Sequence, residues 1–330
     1  MRTERAPSEF AMRAVRYDRY GTPDVLHVAE VAEPSPGPGE VKVRIRAASL
    51  NPLDGKIRSG HVRLIPVFRG PPRGTGCDLA GEIVGVGGGV APRHAGERVF
   101  GAISPMVRDG TCAEFVVVPA ARLAAIPEGV DFVQAAALPI AGGTALQALA
   151  DRARLAPGQR VLIIGAAGGV GHFAVQIAKH LGAQVVGVCG AANAEFVRDQ
   201  GADKVIDYAR DDFTLRADRF DVVFDAAGAS SFGAARQVLA ETGCYINTLG
   251  TTAATLSTIA SAVGARLRSR QRVVPFALKA GGATWQRLAD LAHDRVLRPH
   301  VERTIPLDQV ADAQRAMETG HGRGKIVVVP

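Results

Sequence analysis

Hydrophobic and polar positions alternate with a period of two along the first part of the chain. Stretches such as VKVRIRAASLN (41–51), AGEIVGVGGGV (80–90) and CAEFVVVP (112–119) place apolar side chains at alternating positions between Gly and Pro residues. This alternation is typical of half-buried strands separated by turns. We therefore predict that residues 1–128 form a compact β domain.

The pattern changes in residues 129–278, where short, nearly all-apolar runs alternate with amphipathic segments. RVLIIGAA (160–167) precedes the helical pattern GVGHFAVQIAKHLGA (169–183), and a later strand pattern precedes the predicted helix SFGAARQVLA (231–240). Strands that are apolar on both faces and alternate with helices predict a parallel sheet covered on both sides. The predicted fold class is thus α/β, with a doubly wound, Rossmann-type sheet beside the β domain.

The last part of the chain, residues 279–330, has two helical patterns, TWQRLADLAHDRVL and LDQVADAQRAMETG, followed by the strand pattern GKIVVVP. This strand has no place in the predicted order of the parallel sheet. We therefore expect residues 279–330 to return to the β domain.

Composition excludes some classes of protein. The 330 residues are 47% hydrophobic and 22% charged, and their apolar runs stay short of the eighteen or more residues that predict a membrane span. MRTERAPSEFA (1–11) lacks the apolar centre of a signal peptide, so we expect a disordered extension and a cytoplasmic protein. Cys77, Cys112, Cys189 and Cys244 are far apart and are expected to be reduced thiols.

The net charge of +7 raises the question of an anionic partner. Arg266, Arg268, Arg270 and Arg272 alternate along a predicted strand, but aromatic residues do not interleave with them as they do in proteins that bind single strands. A solvated strand face explains them better, so a nucleic-acid partner is not expected.

A glycine turn lies between the first apolar strand of the parallel sheet and its helix. Glycines there let the backbone approach a pyrophosphate, and the helix N-terminus supplies free N–H groups. The strand before the turn and the helix after it are the context that such a motif requires. The predicted pyrophosphate-binding residues are Gly165, Ala167, Gly168, Gly169, Val170 and Gly171.

Several separated motifs resemble those of one family. They include AASLNPLDGKIRSG, GCDLAGEIVGVG, GTCAEFVVVP, LPIAGGTALQAL and GHGRGKIVVVP. With the glycine turn, they resemble the zinc-independent medium-chain dehydrogenases/reductases of the quinone oxidoreductase or enone reductase type. The resemblance implies a GroES-like β domain split around a Rossmann domain, an active site in the cleft between them, and a homodimer.

The resemblance also bears on metal binding. Zinc-bearing relatives have Cys in the place of Asn51 and a His-Glu pair in the place of Cys77 and Asp78. Asn is a poor zinc ligand, and one thiol with one carboxylate does not complete the three protein ligands of a catalytic site. We expect no metal, and we expect Cys77 to be a small buried residue, with a reactive thiol as the alternative.

The predicted catalytic residues lie in NPLDGKIRSG: Lys56, Asn51 and Asp54. Hydride added to the β-carbon of an enone leaves an enolate, whose oxygen needs a donor and whose α-carbon needs a proton. Lys56 resembles the lysine of plant-type enone reductases and could supply that proton, or water could. Asn51 could hydrogen bond the nicotinamide ribose or the substrate, and Asp54 could hold the loop. The alternative is that Lys56 and Asp54 form a surface pair in a turn.

The residues that choose between NADH and NADPH are absent from their usual place. NAD-binding folds have an acid where Cys189 stands, and NADPH-dependent relatives have hydroxyl and basic residues where Gly190 to Asn193 stand. Tyr208 resembles a family residue near the 2′-phosphate. We predict Cys189, Gly190, Asn193 and Tyr208 as contacts, with NADPH modestly favoured over NADH and weak discrimination.

Further cofactor contacts follow from the resemblance and from the ends of the parallel strands, where ligands bind. The resemblance implies Thr144 and Lys325, each with an ordinary structural role as the alternative. The strand ends add Ala226, Ala227, Gly228, Asn247, Leu249 and Gly250. His172 is predicted to be a packing or capping residue.

The leading hypothesis is therefore an NAD(P)H-dependent reductase of the conjugated C=C bond of an enone, or of a quinone. One alternative keeps the fold as a pathway-specific reductase or a non-redox cyclase of secondary metabolism. Another is a cofactor-binding sensor, or an anion- or RNA-binding protein, without turnover.

Overall fold

A computed structural model of the protein describes residues 11–63, 70–248, 270–274, 276–320 and 322–330. Some predictions lie outside the described residues: the contacts of Leu249 and Gly250, the strand positions of Arg266 and Arg268, and nearly all of the N-terminal extension. Arg270 and Arg272 are described and are exposed, as a solvated face requires.

The β domain contains two antiparallel sheets. The smaller has the strand order β2-β1-β4, and the larger contains β3, β5, β6 and β8 in order, with β7 paired to β3. The eight strands are β1 (Ala11–Tyr17), β2 (His27–Ala32), β3 (Glu40–Ser49), β4 (Arg73–Gly74), β5 (Asp78–Val86), β6 (Arg98–Ala102), β7 (Phe115–Pro119) and β8 (Leu123–Ala125). Alternate residues of β3, namely Val41, Val43 and Ile45, are buried in one core, which explains the period-two pattern.

The described helices are α1 (Pro52–Arg58), α2 (Phe132–Ala137), α3 (Pro139–Leu146), α4 (Gly169–His180), α5 (Ala194–Asp199), α6 (Phe232–Ala235), α7 (Gly282–His293) and α8 (Val310–Glu318). Gln147–Ala153 continues α3 with the wider turns of a π-helix. Short α1 begins at Asn51 and projects from the end of β3.

The parallel sheet has six strands in the order β11-β10-β9-β12-β13-β14. They are β9 (Arg160–Ile164), β10 (Gln184–Cys189), β11 (Lys204–Asp207), β12 (Phe220–Asp225), β13 (Leu239–Asn247) and β14 (Arg272–Val274). Val161 and Ile163 of β9 belong to one hydrophobic core, whereas Leu162 and Ile164 belong to another. Both faces of the sheet are therefore covered, and the predicted doubly wound α/β fold is confirmed.

The C-terminal part adds two strands to the β domain. β15 (Val301–Ile305) pairs parallel with β16 (Lys325–Val328), and β16 pairs antiparallel with β3. α7 lies against both α3 and β8, with the indole Nε1 of Trp285 donating to the carbonyl of Arg122 at 3.0 Å. The boundaries at 128 and 278 stay predictions; α7 contacts β8 before residue 128 and α3 after it.

Two local predictions were wrong. Strand β15 (VERTI) was missed, because three successive exposed residues conceal its alternation at the edge of the sheet. The predicted helix 231–240 is helical only over Phe232–Ala235. Leu239 is instead the first residue of β13 and is buried beside Phe220, whose N–H donates to the Val238 carbonyl at 2.8 Å. Core burial thus outweighs helix propensity there.

Candidate active site

The glycine turn has a backbone that larger residues cannot adopt. Gly165, at the end of β9, has φ +77°, and a Cβ there would lie 2.7 Å from the Cβ of Ala227. A Cβ on Gly171 would lie 2.0 Å from the carbonyl oxygen of Gly165. α4 begins after Gly168, so its first N–H groups face the turn without acceptors in the helix. The turn thus fits a pyrophosphate.

The other predicted strand-end residues lie beside this turn. The N–H of Ala226, just after β12, donates to the Ile164 carbonyl at 3.0 Å. The N–H groups of Ala227 and Ala229 are held by the carboxylate of Asp225 at 3.2 and 3.1 Å, around Gly228 with φ +67°. Asn247 ends β13, where its Nδ2 donates to Tyr245 at 3.1 Å.

The segment that enters β16 lies on the glycine turn. The N–H of Gly324 donates to the carbonyl of Ala167 at 2.9 Å. A Cβ on Gly169 would lie 3.1 Å from Cδ of Lys325 and 3.3 Å from the Gly324 carbonyl. A strand of the β domain is thereby fastened to the turn of the parallel sheet.

Lys325 extends from this contact into the interior. Its Nζ donates to the Leu50 carbonyl at 2.8 Å and to Oδ1 of Asn51 at 2.6 Å, and it lies 3.6 Å from the carboxylate of Asp78. The ammonium and the carboxylate are 3% and 0% exposed. A buried pair this close depends on its surrounding hydrogen bonds.

Asp78 supplies most of those bonds. Its Oδ2 accepts from the Asn51 Nδ2 and the Ser49 hydroxyl, both at 2.8 Å, and its Oδ1 accepts from the Ile140 N–H at 2.9 Å. Lys325 and Asp78 therefore fix the Asn51 amide from both ends. Burial raises the pKa of Asp78 and lowers that of Lys325, and their mutual attraction opposes both effects.

Asp54 is close to this network but is held separately. It is 3% exposed, and its Oδ2 accepts from the Asn51 N–H at 2.7 Å. Burial raises the pKa of Asp54 to about 7. Cys77 is buried, and burial raises the pKa of its thiol. The structure therefore supports the predicted small buried residue over the alternative of a reactive thiol.

Lys56 lies two residues further along α1 and is half-buried. Burial lowers the pKa of its ammonium. Among the described residues its Nζ has no hydrogen-bond or ion-pair partner, and Asp54 points into the interior. The alternative of a Lys56–Asp54 surface pair is therefore wrong. Thr144 is buried within α3, 6% exposed, and its contact with nicotinamide stays a prediction.

This donor set does not fit zinc. The part of the chain that the structure describes contains no group of three or more His, Cys, Asp and Glu side chains placed to hold a metal ion. The ammonium of Lys325 already lies between Asn51 and Asp78, two of the positions compared above with zinc ligands. A second cation there would be repelled.

His172 is a structural residue at the start of α4. Its Nδ1–H donates to the Gly168 carbonyl at 3.0 Å, and its Nε2 accepts from the His300 N–H at 3.3 Å. Full burial lowers the pKa of His172 to about 3, so the ring stays neutral and keeps this tautomer. It joins the glycine turn to the segment before β15.

A second group of predicted contacts lies at the end of β10. Cys189 is buried there, and a Cβ on the following Gly190 would lie 3.2 Å from the hydroxyl of Tyr208. Asn193 accepts from the Nε of Arg323, and Nη2 of Arg323 donates to the Ala192 carbonyl at 2.6 Å. The four predicted contacts thus lie together.

Arg323 was not predicted as a site residue. Asp78 was named only as the residue at the place of a zinc ligand. Arg323 lies 130 positions from Asn193, so no local pattern connects them. The signal was its position in GHGRGKIVVVP, two residues before Lys325.

Comparison with known proteins gives consistent matches. Residues 37–128 match the alcohol dehydrogenase GroES-like domain, and residues 200–328 match the family described as zinc-binding dehydrogenase. The chain is 35% identical to the chloroplast envelope quinone oxidoreductase homolog of Arabidopsis thaliana, with 97% of this chain and 98% of that protein covered. It is 32% identical to the NADPH-dependent alkenal/one oxidoreductase of the same plant, with 97% and 80% covered.

Solved structures agree. The quinone oxidoreductase from Coxiella burnetii superposes with a TM-score of 0.88 at 31% identity, and the match covers 97% of this chain and 100% of that one. The Escherichia coli quinone oxidoreductase complexed with NADPH gives 0.84 at 26% identity, over 96% and 100%. Among the described residues, no helix is long and apolar enough to cross a membrane.

Proposed function

The chain belongs to the medium-chain dehydrogenase/reductase family, among the quinone oxidoreductases and enone reductases, and from this premise we propose that it reduces an activated double bond or a quinone. The substrate is a small molecule. The observation that carries the proposal is the contact of Gly324 and Lys325 with both the glycine turn and Asn51. It brings a pyrophosphate cradle and a polar side chain of α1 to one cleft.

Bound NAD(P)H would supply the hydride to the β-carbon of the substrate. The chain must then stabilise an enolate oxygen and deliver a proton to the α-carbon. One N–H of the Asn51 Nδ2 is held by Asp78, which leaves the second for the nicotinamide ribose or the substrate oxygen. Because Lys325 and Asp78 fix the amide, this donor is preorganised.

We propose Lys56 as the proton donor, with water as the alternative. Its ammonium is half-buried and unpaired among the described residues, and burial lowers its pKa. A lowered pKa makes an ammonium a better acid near neutral pH. Zinc has no part in this mechanism, in keeping with the ammonium of Lys325 at the place where a metal would lie.

We propose NADPH as the favoured nicotinamide, with weak discrimination against NADH. Cys189 carries no charge to repel a 2′-phosphate, and two of the similar proteins are named for NADPH. If the ratio of kcat/KM for NADPH and NADH exceeds about a thousandfold, roughly 4 kcal/mol, this part of the proposal is wrong.

The experiment is incubation of the protein with NADPH and a panel of small enones and quinones, followed by nicotinamide absorbance. We expect oxidation of NADPH that depends on the substrate and is lost in Gly171→Val, which blocks the turn. Absence of oxidation across the panel, with a folded protein that binds NADPH, would overturn the proposal in favour of a sensor. Product formed without net oxidation of NADPH would instead indicate a cyclase.

We further propose a homodimer in the cytoplasm. Within the described residues β14 is an edge strand of the parallel sheet, and edge strands can pair with a second copy of a chain. Light scattering after size-exclusion chromatography would test the dimer, and a monomer would contradict it. Several relatives are instead named as chloroplastic or mitochondrial, so fractionation of cells that express the protein is the test of its location.

A further inference from the structure

Arg323 is an exposed arginine aimed at the outer end of the cofactor cleft. Its guanidinium donates through Nε to Asn193 and through Nη2 to the Ala192 carbonyl, at 2.6 Å for the latter. Both acceptors are neutral, and Nη1 has no partner among the described residues. The side chain is thus held in place while donors remain free.

The position of these contacts in the sheet identifies the ligand. Ala192 and Asn193 lie in the turn that directly follows β10, the strand next to β9 in the parallel sheet. In doubly wound folds the adenosine ribose lies at the end of this strand when the pyrophosphate lies on the first turn. Asp207 ends the neighbouring β11 opposite Cys189, and Tyr208 packs on Gly190.

We propose that Arg323 binds the 2′-phosphate of NADPH and is the residue that determines cofactor preference in this protein. The inference rests on the proposed function for its choice of ligand. Nε and Nη2 fix the plane of the guanidinium, and its remaining N–H groups can donate to phosphate oxygens. The basic residue absent after β10 is thus supplied from the loop before β16.

Two nearby charges act on the preference in opposite directions. Burial raises the pKa of the Cys189 thiol; in addition the carboxylate of Asp207 raises it and the guanidinium of Arg198 lowers it, so both charges act at the end of β10. Oδ1 of Asp207 accepts from the Ala209 N–H at 3.1 Å, which partly compensates its charge. The acid repels a phosphate that Arg323 attracts, and the net effect is a moderate preference.

The first experiment needs no turnover. The affinities of the full-length protein for 2′,5′-ADP and 5′-AMP are measured by calorimetry for wild type, Arg323→Gln and Arg303→Gln. Arg303 is an exposed arginine of β15, so its replacement makes the same change of charge away from Asn193. We expect wild type and Arg303→Gln to bind 2′,5′-ADP, the bisphosphate, about tenfold or more tightly than 5′-AMP, as charge-assisted bonds of roughly 1.5–3 kcal/mol imply.

In Arg323→Gln this preference should fall to within about threefold, with 5′-AMP affinity unchanged. In turnover, kcat/KM should fall about 10- to 100-fold for NADPH and stay constant for NADH. Equal losses of kcat/KM for NADPH and NADH would show that Arg323 only holds the loop in place and would overturn the inference. A wild-type protein that binds 2′,5′-ADP and 5′-AMP equally well would also overturn it. If no enone or quinone is reduced but the bisphosphate preference still depends on Arg323, the proposed function fails and the inference stands.

Discussion

The two ends of the cofactor cleft use neighbouring residues of one segment in opposite ways. At the inner end Lys325 is 3% exposed and bonded to Leu50 and Asn51. At the outer end Arg323 is exposed and bonded to Ala192 and Asn193. Both are cations, Arg323 in the loop that enters β16 and Lys325 as the first residue of that strand, and they differ in burial.

This difference separates stability from selectivity. A buried charge has lost its hydration and depends on fixed partners, so removing one partner leaves the other uncompensated. An exposed charge keeps its hydration, so its removal costs little unless a ligand uses it. Changes at the inner end should therefore destabilise the fold, and changes at the outer end should alter only the choice of ligand.

Lys325→Met should give the largest effect. Asp78 would stay buried without its cation, which costs about 3–5 kcal/mol of unfolding free energy in comparable buried pairs. Urea denaturation measures it. The double variant Lys325→Met/Asp78→Asn should recover part of the loss, because neither charge of this pair then remains; a single variant within about 1 kcal/mol of wild type would contradict the comparison.

Asp54 should make stability depend on pH. Its pKa is raised from 3.8 to about 7 in the folded protein, so its contribution is complete below pH 3.8 and is lost as pH rises through 7. The Asn variant lacks this loss. The difference in unfolding free energy between Asp54→Asn and wild type should therefore rise in favour of the variant by about 1.4 kcal/mol per pH unit between pH 4 and 7, to about 4 kcal/mol in total. Parallel curves of unfolding free energy for the two proteins would contradict a neutral, buried Asp54.

Lys56→Met should lower kcat for enone reduction by about 100-fold, the effect of losing a general acid, while KM for NADPH changes little. Lys56→Arg should retain part of the rate. Lys204→Met, which removes an exposed lysine of β11, is the matched control and should leave kcat unchanged. If Lys56→Met keeps kcat within about twofold, water is the donor and Lys56 has only a structural role.

Ala191→Ser should give the smallest effect, at the outer end. Ala191 is exposed in the turn after β10, and a hydroxyl there adds one hydrogen bond of about 0.5–1.5 kcal/mol to a 2′-phosphate. We expect kcat/KM for NADPH to rise about three- to tenfold and that for NADH to stay constant. A loss of thermal stability instead would show that the outer end is less tolerant than its exposure suggests.

Most of the fold follows from the sequence, because its main signals are local. Three of these signals are contiguous: the apolar run of β9, the glycines that follow it and the amphipathic α4. The strand and the helix are recognised by which faces they bury, and the turn by a backbone that only glycine adopts. β15 and the short α6 were mispredicted because their structure depends on partners far along the chain: β16 for the first, and Phe220 beside Leu239 for the second.

The candidate site divides in the same way. Asn51, Asp54 and Lys56 share one motif, so they were predicted together, and the structure places them on or beside α1. The bonds that orient Asn51 come from Asp78 and Lys325, 27 and 274 positions away. Arg323 was hidden for the same reason: an exposed arginine in a loop has no pattern of its own, and only folding brings it to Asn193.

Loops between a helix and a strand usually tolerate inserted and deleted residues. The loop between α8 and β16 cannot, because three successive residues each have a different contact: Arg323 with Asn193, Gly324 with Ala167 and Lys325 with Asn51. One extra residue between Arg323 and Lys325 would shift one end of the cleft against the other. The length of this loop therefore sets the separation between Asn193 and Asn51, the residues held at its two ends.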